Sequence, residues 1–271
     1  MHTAPAQAGE PPVGQLIRHW RQHRRWSQLD LACEAEISTR HLSFLETGRA
    51  RPSREMLLRL AEQLDLPLRE RNALLLAAGF APTFRERALA DPELAQAREA
   101  VERILAANAP NPALAVDRHW NLVTANAPAM QLMAGIDAAL LAPPLNVLRA
   151  SMHPAGLAPR IANFAEWRAH VLHRLRRQVD ASGDAVLAAL LAELEALPAP
   201  PGAGAPPALG ASGVVVPFQL HSPLGTLSFL GTTMVFGTAV DITLAELVIE
   251  LFFPADTATA QALARLAEMS P

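Results

Sequence analysis

The sequence predicts two domains of different class: an all-α N-terminal domain of five helices and an α+β C-terminal domain. Two patterns of apolar residues and one of charge carry this. Residues 13–80 repeat apolar side chains at helical spacing, with serines placed to start several of the runs. Residues 213–252 hold three β-branched segments separated by glycine and proline. Charge is divided between the halves: Val13–Arg59 carries nine arginines against five acids, whereas Asp91 onward carries ten against sixteen. A chain of 271 residues accommodates two ordinary cores, and 51% hydrophobic content excludes a mainly disordered chain. The expected boundaries are a flexible lead-in over 1–11, a first domain over 12–82 and a second over 92–271.

The first helix runs from about Val13 to Arg24. Ser27 is a natural N-cap for the next, with Asp30 at a capping-box position, and Leu31, Ala32 and Ala35 form its inner face. Ala32 is small enough for two helices to cross closely, and Ile37 fills the corner between them. Glu36 sits in the tight turn where glycine is common, and a positive φ there costs on the order of 1 kcal/mol. Ser38 caps the third helix, whose buried side carries Leu42 and Leu45. Ser53 caps a fourth with the stripe Met56, Leu57, Leu60, Ala61 and Leu64. A fifth runs from about Pro67 to Ala78, where Gly79 stops it.

The second and third helices read as a helix-turn-helix. Thr39, Arg40 and Ser43 point outward at the N-terminal end of the second helix of that pair, the end that meets base edges in the major groove. Arg40 suits a bidentate contact with guanine. Ser38 and His41 flank the same end, and Gln28 is placed to contact a phosphate or brace a recognition residue. Arg49, Arg51 and Arg54 follow the hairpin, and Arg18, Arg21, Arg24 and Arg25 line the helix before it and its exit, all suited to phosphate contacts. The overall charge of −3 does not oppose DNA binding once this asymmetry is seen. A plain helical hairpin within a bundle is the competing account.

Residues 92–108 read as a linking helix with Leu94, Ala97, Val101, Ile104 and Leu105 on one side. Strands are expected over about Ala113–Asp117 and Trp120–Ala125, then a helix from Asn126 to near Met133. Residues 135–160 look irregular, interrupted by Pro143-Pro144, Pro154 and Pro159. Helices follow over about Asn163–Val179 and Asp184–Leu197, then a Pro/Gly/Ala-rich loop over 198–212. Strands are expected over Gly213–Leu220, Thr226–Phe236 and Thr243–Phe252, the last from the alternation of Glu246, Val248, Glu250 and Phe252 with their neighbours; helical spacing is the competing reading there. Asp256 and Thr257 open a closing helix to Met269. Two strands, several helices and three strands is a PAS-like order.

The hairpin followed by Gly48-Arg49-Ala50-Arg51-Pro52-Ser53 resembles the Cro/repressor-like (XRE) helix-turn-helix class. Further motifs resemble regulators with an MmyB-like ligand-binding domain: Leu60-Ala61-Glu62-Gln63-Leu64-Asp65-Leu66-Pro67, Asp117-Arg118-His119-Trp120-Asn121, His153-Pro154-Ala155-Gly156-Leu157, and Glu250-Leu251-Phe252-Phe253-Pro254-Ala255-Asp256. The similarity covers about residues 12–268. The resemblance implies a PAS-like C-terminal fold able to hold a fatty-acid-like ligand.

Such a ligand needs an apolar lining and one polar anchor. Leu122, Leu132, Met133, Leu145, Leu148, Trp167, Val171, Leu175, Phe229 and Phe252 are candidate lining residues, each also explained by ordinary core packing. Arg160, just before a helix start at Asn163, is the candidate carboxylate anchor, with a surface arginine as the alternative. Trp120, Asn121 and Asn126 lie where strands meet helices and suit either bracing or ligand contact. The ligand-contact set is therefore Trp120, Asn126, Arg160, Asn163 and Trp167.

Other classes fit less well. His170 and His173 are three apart on a helix, yet no metal-protease pattern accompanies them, and neither a Gly-x-Ser-x-Gly elbow nor a glycine-rich phosphate loop occurs. No enzyme activity, cofactor or metal is expected. Cys33, the single cysteine, reads as a packing residue. No apolar run reaches the roughly 18 residues of a membrane span and the N-terminus does not read as a signal peptide, so the expected setting is the cytoplasm, without membrane contact. The expected partners are a double-stranded DNA operator, a second copy of the chain, and the apolar ligand. A C-terminal domain serving only dimerisation or partner contacts is the alternative.

Overall fold

The structure, a computed structural model, describes residues 12–204 and 215–268. The described residues form two compact units: 12–87 with Ala239–Ile242, and the described parts of 88–238 and 243–268. The expected lead-in over 1–11, residues 205–212 of the expected loop, Gly213 and Val214 of the expected strand, and Met269 lie outside the described residues.

Five helices build the first unit: α1 (Val13–His23), α2 (Gln28–Glu34), α3 (Thr39–Glu46), α4 (Arg54–Gln63) and α5 (Leu68–Ala77). Serines start three of them. Ser27 accepts from the Asp30 amide while the Asp30 carboxylate accepts from the Ser27 amide, a complete capping box. Ser38 and Ser53 accept from His41 and Met56. Ile17, Leu31, Leu42, Leu45, Leu60 and Leu75 are fully buried between the helices. The turn from α2 to α3 holds Glu36 at φ 54°, as its position in the motif foretells. A Cβ on Gly14 would stand 2.4 Å from the Leu45 carbonyl oxygen, so glycine is what lets α1 approach the end of α3.

The second unit opens with a 3₁₀ turn (Pro92–Leu94) and α6 (Ala95–Ala107), then β1 (Ala113–Val116) and β2 (Leu122–Ala125). Next come α7 (Ala127–Leu132), α8 (Ala138–Leu141), α9 (Val147–Met152), a 3₁₀ turn (Ala158–Arg160), α10 (Phe164–Ser182) and α11 (Ala185–Ala196). β3 (Phe218–Ser222), β4 (Gly225–Val235), α12 (Ile242–Ala245), β5 (Val248–Pro254) and α13 (Thr257–Glu268) complete it. The five strands form one antiparallel sheet in the order β2-β1-β5-β4-β3. That is the PAS-like α+β arrangement expected from the order of elements.

β1 and β5 lie inside the sheet and are covered on both faces. Ala113, Ala115, Ile249 and Leu251 pack with Val101 and Leu105 of α6 on one face. Leu114, Val116, Val248 and Phe252 face the main core on the other, with Leu148, Val171 and Leu175 of the helices. The period-two alternation of β5 is therefore real, and it places Glu250 on the main-core side opposite Leu114.

Four expected elements differ. The strand expected from Gly213 starts only at Phe218, and residues 215–217 are not strand. Residues 135–160 contain two short helices, because Asp137 and Asn146 cap them, Pro143-Pro144 falls between them and Pro154 and Pro159 come after both. Residues 243–247 are not strand: α12 turns there, burying Ile242 and Leu247, and the strand starts at Val248. Trp120 does not begin β2. The Asp117 carboxylate takes the His119 and Asn121 amides at 2.8 Å each, forming a turn that holds Trp120 at φ 67°.

Candidate functional site

In the first unit the N-terminal end of α3 is open to solvent, with Ser38, Thr39 and Arg40 exposed and His41 and Ser43 half-buried. The Arg40 guanidinium lies 5.3 Å from the centre of the Phe44 ring one turn on, which limits its range without burying it. Ser38 Oγ is spent on the helix cap. Arg49, Arg51 and Arg54 are exposed beyond the helix, and Arg54 donates to Thr83 Oγ1 at 2.8 Å.

Behind this face lies a buried ion pair. Arg21 donates from Nε and Nη2 to the two Glu46 oxygens at 2.6 and 2.9 Å, and from Nη1 to the Trp26 carbonyl. Gln28 Nε2 donates to Glu46 Oε2 at 2.8 Å. Burial alone would raise the Glu46 carboxyl, but the hydrogen bonds from Arg21 and Gln28 outweigh it and hold the group below the usual carboxylate range. Two arginines read as phosphate contacts are thereby corrected. Arg21 is buried on Glu46, and Arg24 is tied to the carbonyls of Leu64 and Asp65 at the end of α4. Gln28 is bonded to Glu46, which is not one of the residues expected to meet bases. Cys33 is corrected as well: it faces solvent on α2 instead of packing in the core, because Leu31, Ala32 and Ala35 fill that face.

In the second unit an apolar cavity of about 100 Å³ opens between the sheet and the helices. Leu132, Met133, Leu148, Trp167, Val171 and Phe252 line it, as expected; Leu122, Leu145, Leu175 and Phe229 do not, being core or sheet packing. Among the five candidate ligand residues, the cavity brings together Trp120 and Trp167 only. Trp167 packs on Phe218 at 4.7 Å between ring centres, and its Nε1 donates to Ser151 Oγ at 3.0 Å.

The other three are placed elsewhere. Arg160 donates from Nη1 to the carbonyls of Leu132 and Ala134, closing the C-terminal end of α7 on a separate surface groove. Asn126 caps α7, accepting from Ala113 and Ala129 and donating to Leu105 and Asn111, which uses all of its amide's capacity. Asn163 ties α10 to β3, donating to the Pro217 carbonyl and accepting from the Gln219 amide.

The polar group the cavity does contain is one that sequence reasoning passed over. Arg174 of α10 donates to both Glu250 oxygens, at 2.6 and 3.2 Å, and to Thr233 Oγ1 at 3.0 Å. Its guanidinium lies 4.7 Å from the Trp120 ring centre, and Trp120 Nε1 donates to Gln178 one turn further along α10. His170 stands one turn before Arg174, its ring 5.7 Å from Trp167. Partial burial, with Arg174 and His173 nearby, lowers it below the ordinary imidazole value and favours the neutral form. Two signals were available: Trp167, His170 and Arg174 share one face of a helix, and Glu250 is an acid at an inward position of an apolar strand.

A family model described as MmyB-like transcription regulator ligand binding domain matches residues 97–266, and a helix-turn-helix model matches residues 17–71. Similar curated proteins include uncharacterized HTH-type transcriptional regulators of Mycobacterium bovis and of Mycobacterium tuberculosis, each 34% identical over 114 residues. That alignment takes in 40% of this chain and 38% of theirs, well under half of either. A solved structure described as an RNA-binding Light-Oxygen-Voltage Receptor is 14% identical, covers 95% of this chain and 63% of that one, and has a TM-score of 0.27, too low to speak for a shared fold. With the first model covering more than half of its length and a helix-turn-helix ahead of it, the chain belongs to the MmyB-like transcription regulator family, as a helix-turn-helix followed by that family's ligand-binding domain.

Proposed function

We propose that residues 12–82 read a specific operator as part of a homodimer in the cytoplasm, and that residues 92–271 sense a small apolar, fatty-acid-like ligand. Thr39, Arg40 and Ser43 would meet base edges, with His41 beside them and Ser38 holding the helix start. Arg49, Arg51 and Arg54 would contact phosphates. Two-fold pairing suits this reading, since a single short helix supplies modest affinity and paired half-sites multiply it.

The observation that carries the sensing role is the apolar cavity with its single charged pair. At about 100 Å³ it is smaller than the roughly 150 Å³ engineered cavity that admits benzene, so it suits a short acyl chain, or the inner end of a longer one. The same small volume favours the second reading, a domain that serves only dimerisation or partner contacts. Binding would regulate only if the ligand prefers one arrangement of the dimer, because equal affinity for both shifts nothing.

Native mass spectrometry of the gently purified protein, followed by denaturing extraction, tests the choice. A stoichiometric acyl species per subunit is the expected result. An empty chain that also takes up no acyl compound when offered overturns the sensor reading and leaves the DNA-binding assignment standing.

A further inference from the structure

The ligand's polar end follows from the charge balance of the cavity wall. Among its lining residues the ionisable ones are His170, Arg174 and Glu250. Arg174 and Glu250 cancel one another through two hydrogen bonds, and the Glu250 side chain is only 8% exposed. The wall therefore presents no uncompensated positive charge. An ionised carboxylate entering here would have to displace Glu250 from Arg174 or share the guanidinium with it, and both leave a net negative charge among apolar side chains.

Unspent hydrogen-bonding capacity remains. Of the five guanidinium N–H groups, one on Nη1 and two on Nη2 are engaged; Nε–H and the second Nη1 hydrogen have no partner among the described residues. Ser151 Oγ accepts from Trp167 and has its own O–H to give. The Glu250 carboxylate offers about four lone-pair sites, of which Arg174 takes two and Thr233 lies at 3.3 Å for a third. Donors and one acceptor, with no net charge, complement a neutral carbonyl group.

We infer that the cavity takes an uncharged acyl compound, such as an amide or ester, with its carbonyl oxygen on the free N–H groups of Arg174, and that Glu250 acts as the built-in counter-ion excluding free carboxylates. This rests on the reading that the cavity holds a ligand at all. Glu250 supplies specificity by like-charge exclusion, a repulsive element in place of an added contact.

Hexanoate and hexanamide differ in charge at nearly constant shape, so ligand-observed NMR titration of the full chain at pH 7.5 separates the cases. The expected result is a Kd for hexanamide lower by on the order of ten-fold or more. In Glu250→Gln the order should reverse, because the freed Arg174 charge then seeks an anion. Equal or tighter hexanoate binding by the unaltered protein overturns the inference while keeping the ligand reading. If neither compound binds either protein, the ligand reading fails and the inference with it. A thermal melt of Glu250→Gln guards against misfolding, and the comparison on the unaltered protein stands without the variant.

Discussion

Each unit holds an arginine–glutamate pair whose glutamate is buried, and the two pairs do different work. Arg21 and Glu46 are closed in, with side chains 9% and 2% exposed, and the Trp26 carbonyl and Gln28 add a bond to each. Arg174 and Glu250 are 30% and 8% exposed and border a cavity. The first pair is shut away from solvent and fixes how α1 meets the end of α3. The second is neutral overall yet open, which is what a recognition site requires. Geometry at the carboxylate is similar in both; what surrounds the arginine decides the role.

The largest effect should come from breaking the closed pair. Glu46→Ala leaves Arg21 charged and buried, and a loss of about 3–5 kcal/mol is expected in urea melts of the full chain. A loss under about 1 kcal/mol would mean that the pair is not structurally closed. Next, Arg40→Ala should cost about 1–3 kcal/mol at one base pair of the operator while sparing non-specific binding; unchanged specificity in a selected-site experiment would remove Arg40 as a base reader. Glu250→Ala should cost about 1 kcal/mol, well below the Glu46 variant, because Arg174 can turn to water. Equal losses from the two glutamates would erase the contrast drawn above. Arg51→Ala should have the smallest effect, weakening specific and non-specific DNA alike and lowering the salt slope by about 1.

Acid supplies a further test of the closed pair. Glu46 is held below its ordinary value in the folded state, so its contribution is present above the unfolded carboxyl value and is lost as pH falls through the folded one. Stability of the first unit should therefore decline on acidification, and Glu46→Gln should flatten that decline. An unchanged acid profile in the variant would assign the pH dependence to other carboxylates of that unit, such as Asp30, which the hydrogen bond from the Ser27 amide holds down.

What was legible in the sequence was whatever depends on near neighbours. Ser27, Ser38 and Ser53 announce helix starts because a cap is a three-residue event, and Glu36 in its turn was readable for the same reason. The PAS-like sheet was legible as an order of strands, and the inward phase of β5 as an alternation. Two of the arginines along the first helix and its exit were misjudged because their partners lie far along the chain: Arg21 meets Glu46 and Arg24 meets Leu64.

The same separation governs the cavity. Trp120 and Trp167 are large aromatic side chains near element ends and could be proposed from sequence, whereas Arg160, equally plausible there, turns to the carbonyls ending α7. Arg174 and Glu250 are 76 residues apart, and each alone reads as a routine charge on a helix or strand. The sequence by itself determined the fold class, the helix-turn-helix and the apolar character of the second core, because periodicity and capping are local. Only the tertiary structure decided which charges are spent on each other and which border the cavity, because electrostatic partners are chosen by packing in space.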